Sequence, residues 1–396
     1  MLSDTELEPI KERFIRAQNV FNYVSQPIAF MGMWPVNVTT GTRIRTLFYY
    51  IYHLYRIGME LFEFFMVFPN LGLVIENLAM TGVQIGLVLR LSLIRFSAGM
   101  HRLLHIFKDL RQLDKFNDMR EIEIFLDYSE SCEKLYRIVL WPAAVACSSW
   151  WFTPFQNYLI ARFRNRTFVY ESPWRMPPIE AMERTDVIVI VHVIELPVVY
   201  ISFCYMMTYC IYFSLVNQIR CQLVIINHKV RNLRVDQGTN VEGVFKPIVE
   251  RHVTIFELVK SLNDWSQITL MCELLVVSLT LGLLIYNIMV VSESSQDFSK
   301  VMNFGFYVFN MLSIMFTNCY MGQSLEDEAL NLADAFYDHD WTHLPITCQK
   351  SFVICMIRSQ RPLQLTAGGF YKFSLNGFTS IIKSIAGFYS MLRATT

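Results

Sequence analysis

The sequence predicts an all-α membrane protein: seven transmembrane helices, the N-terminus cytoplasmic and the C-terminus extracellular, with a helical cytoplasmic anchor region between spans six and seven. Three observations carry that reading. Of 396 residues, 53% are hydrophobic and only 17% charged, whereas about 25% of an ordinary soluble domain is charged. Seven stretches approach or exceed the roughly 20 apolar residues that a bilayer-crossing helix needs. Lys and Arg gather in alternate connections between those stretches, as they do in cytoplasmic loops. The 34 Lys and Arg balance the 34 Asp and Glu, so no basic field invites nucleic acid.

Residues 1–43 form a cytoplasmic N-terminal segment. It opens on Met1-Leu2-Ser3-Asp4-Thr5-Glu6, without the basic start and apolar core of a cleaved signal peptide, so the first span is expected to insert unaided. A six-helix region follows over 44–322, with spans at 44–67, 72–96, 135–160, 187–216, 265–291 and 301–322. Residues 323–370 are too polar for lipid yet rich in helix formers, and they form the cytoplasmic anchor region. The seventh helix, 371–393, and a short tail complete residues 371–396. This topology puts Lys11, Arg13, Arg102, Lys108, Lys229, Arg251 and Arg358 inside. It puts the sequon Asn165-Arg166-Thr167 outside, where Asn165 is open to glycosylation. No repeat of 20 to 50 residues supports an inverted-repeat transporter.

Charges inside apolar spans are costly and need a reason. Arg90, Arg95 and Glu273 lie towards the cytoplasmic ends of their spans, where snorkelling to the interface is cheap. His192 and Glu195 sit just before Pro197 and either face a wet cavity or pair with each other. Ser324 followed by Glu326, Asp327 and Glu328 has the form of a helix start. His101 and His105 share a helix face, and Asp338, His339, Asp340 and His343 crowd together. Neither group has the company of a metal site; the first reads as a polar helix end leaving the bilayer and the second as a structural cluster after the acidic helix start. Nine cysteines without a paired CxxC point to neither zinc nor a disulfide scaffold. No GxSxG or HExxH pattern occurs, so no enzyme activity and no cofactor are expected.

The C-terminal quarter carries a longer pattern. Ala335-Phe336-Tyr337, Trp341, Pro345, Arg358-Ser359-Gln360-Arg361-Pro362-Leu363 and Leu365-Thr366-Ala367-Gly368 lead into Ser374-Leu375, Phe378, Ile382-Lys383-Ser384 and Leu392. With Gly322-Gln323-Ser324-Leu325 and Trp34-Pro35 upstream, this string resembles the signature of insect odorant receptors. The short connection at 218–264 is unlike the long insertion of the olfactory co-receptor, so the chain is similar to a tuning, ligand-selective subunit. The resemblance implies an odorant-gated, nonselective cation channel: a tetramer built with the co-receptor subunit in the plasma membrane of olfactory sensory neurons. Its partners are then a small volatile odorant, membrane lipid and permeant cations. Alternatives are a metabotropic seven-helix chemoreceptor or a transporter of small apolar molecules. The first of these is opposed by the inverted topology and by the lack of Asp-Arg-Tyr and Asn-Pro-x-x-Tyr motifs.

The resemblance locates the ligand pocket among spans two, three, four and six. Helical spacing and the need for an apolar, aromatic cage single out Met80, Val83, Cys147, Trp150, Trp151, Val191, Glu195, Val199, Phe304, Tyr307 and Met311 there. In span seven, Ser384, Phe388, Met391 and Thr395 recur at steps of four, three and four, forming one helical stripe. The stripe either lines a pore, with a constriction that gates by dewetting, or packs against span five. The resemblance aligns Ala394 and Thr395 with the narrowest part of the gate. In the anchor region Phe336, Tyr337 and Trp341 are the candidates for holding subunits together.

Overall fold

Thr39 ends an extended segment and caps the first long helix. Its hydroxyl accepts from Thr42 N, and its own N–H donates to the Thr42 hydroxyl, at 3.3 and 2.8 Å, so two of the orphan donors at a helix start are satisfied. The computed structural model describes residues 10–68, 70–163, 185–233, 241–293, 298–361 and 363–395. The helices are α1 (Lys11–Gln18), α2 (Val20–Phe30), α3 (Thr40–Val67), α4 (Leu71–Phe96), α5 (Ala98–Leu110), α6 (Met119–Phe163) and α7 (Thr185–Arg231). They continue with α8 (Val241–Glu293), α9 (Phe298–Asp338), α10 (Ile346–Ser359) and α11 (Leu375–Thr395). An antiparallel hairpin, β1 (Thr366–Ala367) and β2 (Tyr371–Lys372), precedes α11. Its turn needs Gly368 and Gly369, whose φ of 59° and 77° only glycine adopts without strain.

Each of the first six apolar stretches lies in one helix and the seventh all but its first four residues, but four of the helices run far past them. The 47 residues of α7 extend about 70 Å at 1.5 Å per residue, more than twice the thickness of a bilayer core. The surplus of α6, α7, α8 and α9 gathers at one end of the bundle and, with α1, α2, α5 and α10, forms a base. Polar side chains stitch it: Asn217 donates to Tyr128 O at 2.9 Å, Arg251 Nε to Gln222 at 2.9 Å, and Lys229 pairs with Glu121 at 3.2 Å. Phe352 of α10 stacks on Phe245 and His339 and meets Phe336 edge-on. His252 is buried among Phe256, Phe336 and the Ser359 hydroxyl.

Several expectations are corrected here. The connection read at 218–264 is largely the ends of α7 and α8. The helix start read at Ser324 is instead the interior of α9, because no breaker separates it from span six and packing carries the helix through. Gly322 sits so close to the Phe373 carbonyl that a Cβ has no room, which docks the strand leading into α11 against α9. The last helix begins at Leu375 rather than 371, after the hairpin. His101 and His105 are exposed on α5, opposite the buried Met100, Leu103 and Phe107.

The polarity of α3 is inverted relative to a helix of a soluble protein. Its buried residues are Thr46, Tyr49, His53, Arg56, Glu60 and Glu63, and its exposed ones include Phe48, Leu54, Phe62 and Phe65. A helix in water hides its apolar stripe, so the medium around α3 is hydrocarbon. By length and hydropathy alone, one described helix, Asp186–Arg231, qualifies as a membrane span, or up to three if bent pairs count as one span each. The first span fails that test because it carries Arg56, Glu60 and Glu63, and the fold buries all three.

Candidate functional site

Two features within the bundle offer chemistry. The first is a cavity of about 300 Å³ between α4, α6, α7, α8 and α9. Its wall is mostly apolar, with Leu87, Met206, Val276, Val277, Met311 and Ile314, and Gly82 lets Val276 of α8 approach α4 closely. One end is polar. Arg90 Nη2 stands 3.6 Å from Glu273 Oε2, and the guanidinium lies 4.0 Å over the Tyr209 ring. The Tyr209 hydroxyl donates to Glu273 Oε1 at 2.7 Å and shares a 2.7 Å hydrogen bond with Tyr205. Among the described residues, Arg90 Nε and Nη2 and Gln84 Oε1 have no hydrogen-bond partner, and all three belong to cavity-lining side chains.

Arg90 and Arg95 therefore do not snorkel. Both are buried: Arg90 pairs with Glu273 of the facing helix, and Arg95 donates to Trp34 O at 2.8 Å. Partners supplied across a helix interface compete with the interface water that each side chain would otherwise reach. Glu195 faces Arg56 of α3 at 3.8 Å, while His192 stacks on Trp151 with centroids 4.3 Å apart. Arg56 also reaches Glu60 at 3.1 Å, so a buried polar cluster joins α3 to α7.

Of the residues expected at a pocket, Val83, Cys147 and Met311 line this cavity. Met80 lies on α4 just before the lining residues, and Val191 and Val199 lie on α7 ahead of them. Glu195 and Trp151 belong to the contacts just given. The side chains of Trp150, Phe304 and Tyr307 lie outside the described residues, as does Asn165. Sequence reasoning missed Tyr205, Tyr209, Thr269 and Asn310 as lining residues, and assigned Arg90 and Glu273 to the interface. A signal was there: two opposite charges at matched depth on spans two and five.

The second feature is α11. Phe378, Ile381 and Ile385 pack on the core, while Asn376, Thr379, Ser380, Lys383, Ser384 and Gly387 are exposed. Ser384 and Met391 of the proposed stripe are both on the uncovered surface, and the side chains of Phe388, Ala394 and Thr395 lie outside the described residues. Thr379, Ser380, Ser384 and Ser390 each donate to the carbonyl four residues earlier, which leaves their oxygen lone pairs turned outward as acceptors. In the base, Phe336 is fully buried within the chain, Trp341 is half-buried on the core and Tyr337 is 74% exposed.

A bundle with inverted polarity, long helices and an internal apolar cavity defines a multi-pass membrane receptor. The sequence profile described as "7tm Odorant receptor" matches residues 70–386, and the chain belongs to that family. Odorant receptor 22b of Drosophila melanogaster is 26% identical over 167 residues, 41% of either chain, and Odorant receptor 10 of Aedes albopictus is 25% identical over 146 residues, 37% of this chain and 38% of its own. The matched stretches thus span less than half the length of these relatives. The fold is that of the insect olfactory receptor OR5 from Machilis hrabei, solved in complex with eugenol: the TM-score is 0.78 over 97% of this chain and 100% of that one, at 13% identity.

Proposed function

We propose that the chain is the ligand-selective subunit of an odorant-gated, nonselective cation channel in the plasma membrane of olfactory sensory neurons, assembled as a tetramer with the olfactory co-receptor. The observation that carries the reading is the pair of opposite faces on α11. A polar, uncovered stripe on a membrane helix fits poorly against lipid and well around a wet lumen. Outward-facing hydroxyl oxygens suit a cation pathway, and Lys383, adjacent to the Ser384–Met391 stripe, turns towards a neighbouring subunit or the inner water interface. The apolar constriction is formed by Phe388 and Met391 close to the outer mouth, with Ala394 and Thr395 aligned with its narrowest part. The N-terminus is cytoplasmic and the C-terminus extracellular, which places the base in the cytoplasm. Residues 1–43, 44–322, 323–370 and 371–396 are then the N-terminal segment, the ligand-binding helices, the anchor and the pore helix. Exposed Tyr337 and half-exposed Trp341 meet a neighbouring subunit, with Phe336 supporting them from within. The cavity lined by Val83, Cys147 and Met311 holds the odorant, and its volume lies at the lower end of the small-molecule range.

Substituting cysteine at Ser384 and at Met391, then adding a water-soluble thiol reagent, tests this reading. Agonist-evoked current is expected to fall by more than half at either site. Full current after verified modification at both would sink the pore assignment, and current abolished by GDP-β-S would sink direct gating.

A further inference from the structure

We infer that the cavity selects a neutral molecule whose carbonyl oxygen accepts hydrogen bonds from Arg90, and that it discriminates against carboxylates and alkylamines of equal size. The inference rests on reading this cavity as the odorant site. Arg90 is 2% exposed and lines the cavity. Among the described residues, its Nε and Nη2 lack hydrogen-bond partners, the 3.6 Å from Nη2 to Glu273 Oε2 being too long to be one; both atoms are enclosed, so a guest meets them once the guanidinium turns towards the cavity. Buried donors without acceptors are costly, more so on a charged group. The neighbouring hydroxyls are engaged, Tyr209 with Glu273 and Tyr205 with Tyr209. Arg90 is therefore the charged donor left for a guest at this polar end.

Charge decides what kind of acceptor that guest brings. Arg90 and Glu273 cancel, and a neutral guest preserves the balance. A carboxylate adds an uncompensated negative charge, and an ammonium a positive one, against a wall of Leu87, Val276, Val277 and Met311, where unpaired charge is expensive. Size follows from volume. At about 30 Å³ per water-sized unit, a cavity of about 300 Å³ takes a guest of about ten heavy atoms.

The test uses methyl heptyl ketone, decane, octanoate and nonylamine, matched in heavy-atom number, on cells expressing the chain with the co-receptor. The ketone is expected to evoke current at concentrations at least about tenfold below the other three. In the double variant R90M/E273Q, which stays neutral, the ketone's half-maximal concentration is expected to rise about 10- to 100-fold towards that of decane, whose own value holds. Octanoate or nonylamine matching the ketone, silence to the ketone, or an undiminished ketone advantage in a double variant present at the surface would each overturn the inference. Should that variant fail to reach the surface, the panel on the unsubstituted chain decides alone. Val276→Trp fills the cavity and separates the two levels. An unchanged ketone response there overturns the odorant-site reading itself, whereas a lost response combined with equal potency of octanoate overturns only the carbonyl selection.

Discussion

Helices α3 and α11 are both apolar enough on average to be read as spans, yet they are built inside out relative to one another. α3 buries Arg56, Glu60 and Glu63 and exposes Phe48, Leu54 and Phe65. α11 packs Phe378, Ile381 and Ile385 inward and leaves Asn376, Thr379, Ser380 and Ser384 uncovered. The difference teaches that the two helices are suited to different surroundings. For α3 the outside is lipid, and polar groups are better off among one another. On the pore reading proposed above, the outside of α11 is water, and the usual soluble pattern returns.

The comparison breaks most sharply at Arg56. Arg56→Met leaves Glu60 and Glu195 buried without their cation, and a loss of about 3–5 kcal/mol is expected, read as a lower Tm of detergent-purified protein and reduced surface level. An unchanged Tm would mean that the α3 face is wet. Next in size is a group at the base, where a buried polar side chain has water rather than lipid as its alternative. Burial, reinforced by the Arg358 guanidinium, lowers His252 to about 4 from 6.5. Below pH 6.5 the unfolded chain takes up a proton that the folded chain refuses. Stability is therefore lost as pH falls from about 6.5 towards 4, by up to about 3 kcal/mol. His252→Phe is expected to flatten that profile in a pH series of thermal melts. The smallest effects compare the two outward faces directly. Leu54→Ala on α3 and Thr379→Val on α11 are each expected to move stability by no more than about 0.5 kcal/mol, but only the second to lower single-channel conductance. Equal conductance in both would place the α11 face in lipid.

Part of the candidate site was legible along the chain. Ser384 and Met391 follow from steps of three and four residues, and Val83, Cys147 and Met311 from helical spacing within their spans. Arg90 and Glu273 were visible as charges but not as partners. Their pairing depends on α4 meeting α8, and nothing periodic in either helix announces it. The base was harder still, because the contacts of Tyr128, Asn217, Gln222 and Arg251 exist only once helices from three parts of the chain are brought alongside.

By itself the sequence determined the all-α class, the number and order of the apolar stretches, the two-faced composition of α11 and the C-terminal signature around Gly322, Arg358 and Ser384. These are local properties: hydropathy, helical period and the order of residues act over a few turns of one helix. Tertiary structure alone decided which charges meet, where the cavity lies and how far each helix continues beyond the bilayer's thickness. Burying Arg56 against Glu195, or Arg90 against Glu273, is tolerable only when the facing helix supplies the opposite charge at the same depth, and that is fixed by how the helices pack.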